Sequence, residues 1–101
     1  MSKPLIIVKK SNRKGKKWMA EFPDKSKIHF GASGYQDYTI HKDRNRMIRY
    51  LNRHKTNENW SKSGIKTAGF WSRYLLWNLP SLNASKKDIE KRFNVLIKLF
   101  Y

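Results

Sequence analysis

Leu5-Ile6-Ile7-Val8, then Trp18-Met19-Ala20-Glu21-Phe22, then Lys27-Ile28-His29-Phe30 are the stretches that decide the fold. The first is a short β-branched run, and in the other two apolar side chains alternate with polar or opposite-facing ones, the period of a half-buried strand. Between them lie turn signatures. Ser11-Asn12-Arg13-Lys14-Gly15-Lys16-Lys17 offers Gly15 for a positive φ, and Pro23-Asp24-Lys25-Ser26 offers a proline with its fixed φ. Gly31 and Gly34 end the alternation. Three strands joined by short turns, over about residues 5–31, predict an antiparallel meander.

After Thr39 the apolar period lengthens. Met47, Ile48 and Leu51, with Ile40, fall on one face of a helix predicted over about 41–55, while Lys42, Arg46, Arg49 and Arg53 occupy other sides. Asn57 to Lys66 is polar and reads as a loop. Thr67 is placed to cap a helix over about 68–78, which Pro80 prevents from continuing. Ser85 and Asp88 resemble a capping box, and Ile89, Phe93, Leu96, Ile97 and Phe100 form an amphipathic stripe, predicting a helix over about 86–99. The expected class is therefore α+β: an N-terminal three-stranded antiparallel meander followed by three helices, in one small basic domain covering 1–101.

Charge is the dominant compositional fact. The 101 residues carry 23 Lys+Arg against 7 Asp+Glu, a formal net charge of +16. A disordered basic tail is poor in bulky apolar residues, whereas 14% of this chain is aromatic, which argues for a packed core. Such a charge repels itself in a compact monomer, so an anionic partner is expected. Nothing approaches the roughly 18 apolar residues of a membrane-spanning helix, and the N-terminal run of apolar residues is too short for a signal-peptide core. Without cysteine there is no disulfide framework, thiolate metal site or thiol nucleophile, which fits a reducing compartment.

The cations concentrate in two stretches. Lys9, Lys10, Arg13, Lys14, Lys16 and Lys17 lie in or beside the first turn, and Lys42, Arg44, Arg46, Arg49, Arg53 and Lys55 lie in or beside the middle helix, with Asp43 the one acid among them. These twelve are the predicted nucleic-acid-binding residues, because each phosphate neutralised by Lys or Arg releases condensed counterions. Trp18, Tyr35, Tyr38, Tyr50 and Trp60 interleave with them and would either stack on bases or fill the core. His41, Asp43, His54 and Glu58, with His29, include metal-binding types, but no His-Glu-x-x-His spacing exists and one aspartate is a poor two-metal nuclease site. Ordinary roles suffice for them: Asp43 at a helix start, His54 at its end, Glu58 paired with Arg53. No catalytic residue, metal or cofactor is therefore expected.

His29-Phe30-Gly31-Ala32-x-Gly34-Tyr35-x-Asp37-Tyr38-Thr39-x-His41-Lys42-Asp43, followed by Arg46, Tyr50, Arg53-His54 and Glu58-x-Trp60, resembles a family of small basic proteins of nucleocytoplasmic large DNA viruses, including giant amoebal and algal viruses. Thr67-Ala68-Gly69-Phe70-Trp71-Ser72-Arg73 and Leu76-Trp77-Asn78-x-Pro80-Ser81-Leu82 resemble the same family's second block. Together they span about residues 18–93. The resemblance implies a viral setting, with a genome to compact and a capsid to line, in the virion or in the host cytoplasm and viral factory.

Within these blocks Asp37 is placed to cap the basic helix or to pair with Arg46 or Arg73. Arg73, amid Trp71, Tyr74 and Trp77, is a candidate buried or ring-stacked cation. Charge and setting together predict a sequence-nonspecific nucleic-acid-binding protein, packaging or condensing double-stranded viral DNA, or binding another polyanion. Self-association through the C-terminal helix ending in Phe100-Tyr101 would make such binding multivalent. The alternative is a minor capsid or virion structural protein whose cations meet acidic protein or membrane surfaces from inside the particle.

Overall fold

In the computed structural model, which describes residues 3–100, the meander forms as the alternation predicts. Strands β1 (Leu5–Lys10), β2 (Lys16–Glu21) and β3 (Lys27–Ala32) run antiparallel. Val8 lies opposite Ala20, Ala20 opposite Ile28, and Trp18 opposite Phe30, so one face gathers the apolar set. The register Lys9–Met19–His29 sits on the other face. Gly15 takes φ +86 in the first turn, the conformation for which glycine carries no steric cost.

The middle helix is two helices. Asp37 caps a single turn, α1 (Tyr38–His41), and Lys42 then turns left-handed at φ 56. Asp43 caps α2 (Arg44–His54) by accepting from the backbone N–H groups of Asn45 and Arg46. None of the residues in α2 is fully buried. Tyr50 fastens it to the rest, its ring stacked 4.2 Å from that of Trp77 and nearly parallel to it.

Thr67 caps α3 (Ala68–Trp71), as its position in the sequence suggests, with Oγ1 accepting from Phe70 N–H. The predicted remainder of that helix widens into a π-helical turn over Ser72–Leu76. Phe70, Trp71, Tyr74, Leu75 and Leu76 are all buried and pack with Ile6, Val8, Ala20 and Phe30 of the sheet. Trp71 Nε1 donates to the carbonyl of Ile65 at 2.6 Å, satisfying the one polar atom that this core tryptophan buries.

The C-terminal segment departs from the predicted helix over 86–99. Helix α4 runs Leu82–Phe93, and its cap is Ser81. Ser85 is not a cap; it is wholly buried within α4, its hydroxyl beside Leu79, and Asp88 pairs with Arg92. Asn94 adopts φ 57, ψ 49, and Leu96–Leu99 form β4, parallel to β1. The physical reason is the vacant edge of β1. Leu96 N–H donates to Pro4 and Phe100 N–H to Val8, pairing backbone groups that would otherwise need water. The sheet is thus four-stranded and mixed, in the order β3-β2-β1-β4.

This corrects the predicted self-association surface as well. No helix continues past Phe93; Leu96 and Phe100 are instead exposed at an edge strand, and Tyr101 lies outside the described residues.

Candidate functional site

Where β2 begins and β3 ends, the chain beyond the sheet builds a cleft of about 470 Å³. Lys16, Lys17, Gly31 and Ala32 form its sheet wall, Tyr35, Gln36 and Asp37 one rim, and Arg46, Tyr50, Arg53 and His54 the α2 wall. Glu58, Ala68, Gly69, Ser72, Leu76 and Trp77 close it. Arg46 and Arg53 are about two helical turns apart, with Tyr50 between, so the 3.6-residue repeat sets them on one side of α2. The cleft thus gathers residues from Lys16 to Trp77, far apart along the chain.

The acids of the cleft are occupied. Asp37 is only 2% exposed, yet Lys17 Nζ lies 2.8 Å from its Oδ2, and Thr39 donates to Oδ1 through both its N–H and its hydroxyl. Asp37 therefore holds Lys17, and not Arg46 or Arg73 as the sequence suggests; Arg46 reaches the side-chain oxygen of Gln36 at 3.4 Å. Glu58 does not make the predicted pair with Arg53. It instead takes His54 Nδ1 at 2.9 Å and Trp60 Nε1 at 2.8 Å. Arg53 is exposed and has no acidic partner among the described residues.

The rings are layered. His54 lies 4.1 Å from Tyr50 on one side and Trp77 lies 4.2 Å from it on the other, so both faces of the tyrosine are covered. Burial, then the nearby Glu58 carboxylate, pushes the Tyr50 hydroxyl up to about 12. Tyr35 differs from the other aromatics named in the sequence: it is 73% exposed, whereas Trp18 and Tyr38 are buried and Tyr50 and Trp60 half-buried. Arg73 is the stacked cation that the sequence suggests, its guanidinium 4.8 Å from the Tyr74 ring and 5.3 Å from Trp60. Its Nε and Nη1 are buried without an acceptor among the described residues, and desolvation lowers its pKa.

The predicted cations do not form one surface. Lys16, Lys17, Arg46 and Arg53 line the cleft. Lys9 borders Met19, Lys27 and His29 on the outer sheet face, and Lys10, at the strand end, borders that face and the α1 side. Arg13 and Lys14 are exposed at the hairpin tip; Arg44, Arg49 and Lys55 are exposed on or beside α2. Lys42 is a tether, donating to the carbonyls of Thr39 and Pro80.

His41 and Asp43 are likewise structural: His41 Nδ1 accepts from Asp43 N–H at 2.8 Å, under an edge of Trp77. Burial, and next Arg46, lower the His41 pKa. Among the described residues, no three His, Asp or Glu side chains gather as a metal site. Also among the described residues, no helix is long and apolar enough to cross a membrane. Gln36 is not marked by the sequence at all, and Gly69 and Ser72 only as members of the second block; uncharged, all three join the cleft through tertiary structure alone.

A model of a family of unknown function (DUF5754) matches residues 6–54, from within β1 to the end of α2. That similarity takes in both walls that carry the cleft's cations, and it stops before Glu58, Gly69, Ser72 and Trp77. No curated protein and no solved structure matches the chain.

Proposed function

We propose that this chain binds nucleic acid through its phosphates, without sequence specificity, and packages or condenses viral DNA in the virion or factory. The observation that carries the reading is where the acids are. Six of the 7 Asp+Glu are engaged: Asp24 pairs with Lys66, Asp37 with Lys17, Glu58 with His54, Asp88 with Arg92 and Glu90 with Lys86, while Asp43 caps α2; the seventh, Glu21, lies at the end of β2. Of the twelve cations named from the sequence, Lys17 has an acidic partner; the others have none among the described residues. Unpaired cations at the hairpin tip and along α2 suit a phosphate backbone, and no motif for reading base edges accompanies them.

A second reading has an observation of its own. Ile48 is exposed, half-buried Met47 and Leu51 lie beside it on α2, and Arg44 and Lys55 flank them along the helix. An apolar strip edged by cations suits an acidic protein or an anionic membrane surface, as a minor capsid or virion structural protein would use.

Salt-titrated binding to duplex DNA, single strands and anionic vesicles separates the two. Duplex affinity is expected to fall with salt with a log–log slope of about −0.9 per phosphate contacted. The triple variant Arg46→Glu, Arg49→Glu, Arg53→Glu should lose binding while keeping its melting temperature, because all three side chains are exposed. A slope near zero, absence of duplex binding at low salt, or preference for vesicles rejects the DNA reading. Unfolding of the triple variant would show that one of these arginines is structural.

A further inference from the structure

The cleft differs in kind from the other cationic surfaces. Arg13, Lys14 and Arg49 are exposed and do not line the cleft, so a duplex backbone could lie across them. The cleft is a concavity of about 470 Å³, within the roughly 300–1,000 Å³ of sites that enclose small molecules. A double helix cannot enter such a space, whereas one nucleotide unstacked from its neighbours can.

Three features of the walls fit that occupant. Lys16, Arg46 and Arg53 line the cleft without acidic partners among the described residues, and the two carboxylates inside are already held by Lys17 and by His54 with Trp60. An entering phosphate therefore meets cations and not bare carboxylates. Second, the faces of Tyr50 are covered by His54 and Trp77, making it a wall and not a stacking platform. Third, Tyr35 stands at the rim, 73% exposed as a residue, in a segment turned by Gly34 at φ +84. An exposed ring beside guanidinium groups is the pairing that single-strand binders use, stacking supplying affinity that does not depend on which base is present.

We infer that the cleft accepts one unpaired nucleotide of a single strand, with its phosphodiester against Lys16, Arg46 and Arg53 and its base on Tyr35. The inference rests on the nucleic-acid reading above and adds a preference within it: the protein has a site for locally opened or single-stranded nucleic acid, separate from the exposed cations outside the cleft that would meet duplex.

The test is fluorescence anisotropy with an oligothymidylate of about twenty nucleotides, longer than the usual site of a single-strand-binding fold, and with a duplex of equal length. Both lack terminal phosphates, so any phosphate bound is internal. Tyr35→Ala should weaken oligothymidylate binding roughly ten-fold or more, as expected for losing one stacked base, and leave duplex affinity unchanged. Tyr35→Phe keeps the ring and should bind like the parent. Arg53→Gln should reduce the single-strand salt slope by about 0.7, the increment for one phosphate contact.

An unchanged oligothymidylate affinity in Tyr35→Ala, or an equal loss for strand and duplex, overturns the inference while leaving the broader reading intact. Failure of the parent protein to bind either nucleic acid at low salt overturns both. Circular dichroism of each variant checks folding, which an exposed tyrosine and an exposed arginine should not alter.

Discussion

Replacing Gly31 by alanine should destabilise the fold more than the same change at any other positive-φ glycine, and the structure says by how much. Gly31 sits at φ +77 near the end of β3, against the cleft. A methyl group there would lie 2.9 Å from Leu76 Cδ1 and 3.3 Å from Lys17 Cβ. Leu76 is 2% exposed and packed on every side, so its methyl cannot retreat without disturbing the core. The left-handed conformation costs a residue with a Cβ about 1–2 kcal/mol, and the overlap adds about 1–3 kcal/mol. A total near 3 kcal/mol corresponds to a fall in Tm of about 12–24 °C for a domain this size.

Gly15 provides the internal control, since it has φ +86 but a methyl group at its Cα would meet nothing within 4 Å. Gly15→Ala should cost only the conformational part, and both variants share the small gain from a stiffer unfolded chain. The difference between them, about 1–3 kcal/mol, isolates the clash. Urea denaturation with a common m-value measures it. If Gly31→Ala is no worse than Gly15→Ala, the close approach of Leu76 to the β3 backbone is not as described, and the sheet wall of the cleft must be redrawn.

Two further outcomes concern the places where the chain changes direction. Asn94 ends α4 at φ 57, so Asn94→Ala should lose about 1 kcal/mol in urea denaturation while Asn94→Gly is neutral or slightly stabilising; equal losses would refute a left-handed cap. His41 has a pKa below its ordinary 6.5, so the unfolded chain takes up that proton first. Its contribution favours the fold above pH 6.5 and is lost as the pH falls below it. His29 is shifted in the same direction, by burial and then by Arg13. The Tm should therefore fall on acidification from neutrality, before the carboxylates titrate, and His41→Gln should flatten that fall in part. An unchanged profile would mean that protonation does not break the bond from Asp43 N–H to Nδ1.

Much of the fold was legible because local and tertiary demands agree. In the meander, alternation, Gly15 and Pro23 all point the same way, and Thr67 and Asp43 are residues that cap wherever a helix begins. The C-terminus misled for a definite reason. Ile89, Phe93 and Ile97 continue a helical stripe, and a run as short as Leu96–Leu99 has no period that distinguishes strand from helix. Only Asn94, a residue tolerant of the left-handed conformation, marks the break, and what stabilises the strand is the open edge of β1, which no local pattern reveals. The cap of α4 is Ser81, just after the Pro80 that reads only as a stop, and the Ser85–Asp88 box falls inside the helix. For the site, composition found the cations but could not assign them to faces. Lys9 and Lys16 are only a turn apart in sequence, yet one lies on the outer sheet face and the other in the cleft.

That partition bears on what the charge does. Had the acids been spread among the cations, most of the +16 would be cancelled at short range and the surface would say little about partners. Instead six of the seven carboxylates sit at caps or in pairs, and several of these hold elements together: Asp43 starts α2, Asp37 joins Lys17 of β2 to the start of α1, and Glu58 braces His54 and Trp60. Moving an acid to neutralise the surface would open one of these joints, so the fold and the uncancelled charge are consequences of the same arrangement. α2 is where the two meet. It contributes no fully buried residue, is fastened by the Tyr50–Trp77 stack and by the side-chain contacts of Arg46 with Gln36 and His54 with Glu58, and carries Arg46, Arg49 and Arg53. If the proposed reading holds, a phosphate bridging α2 to Lys16 across the cleft would bind the folded chain and not the unfolded one, and so would stabilise the fold by mass action.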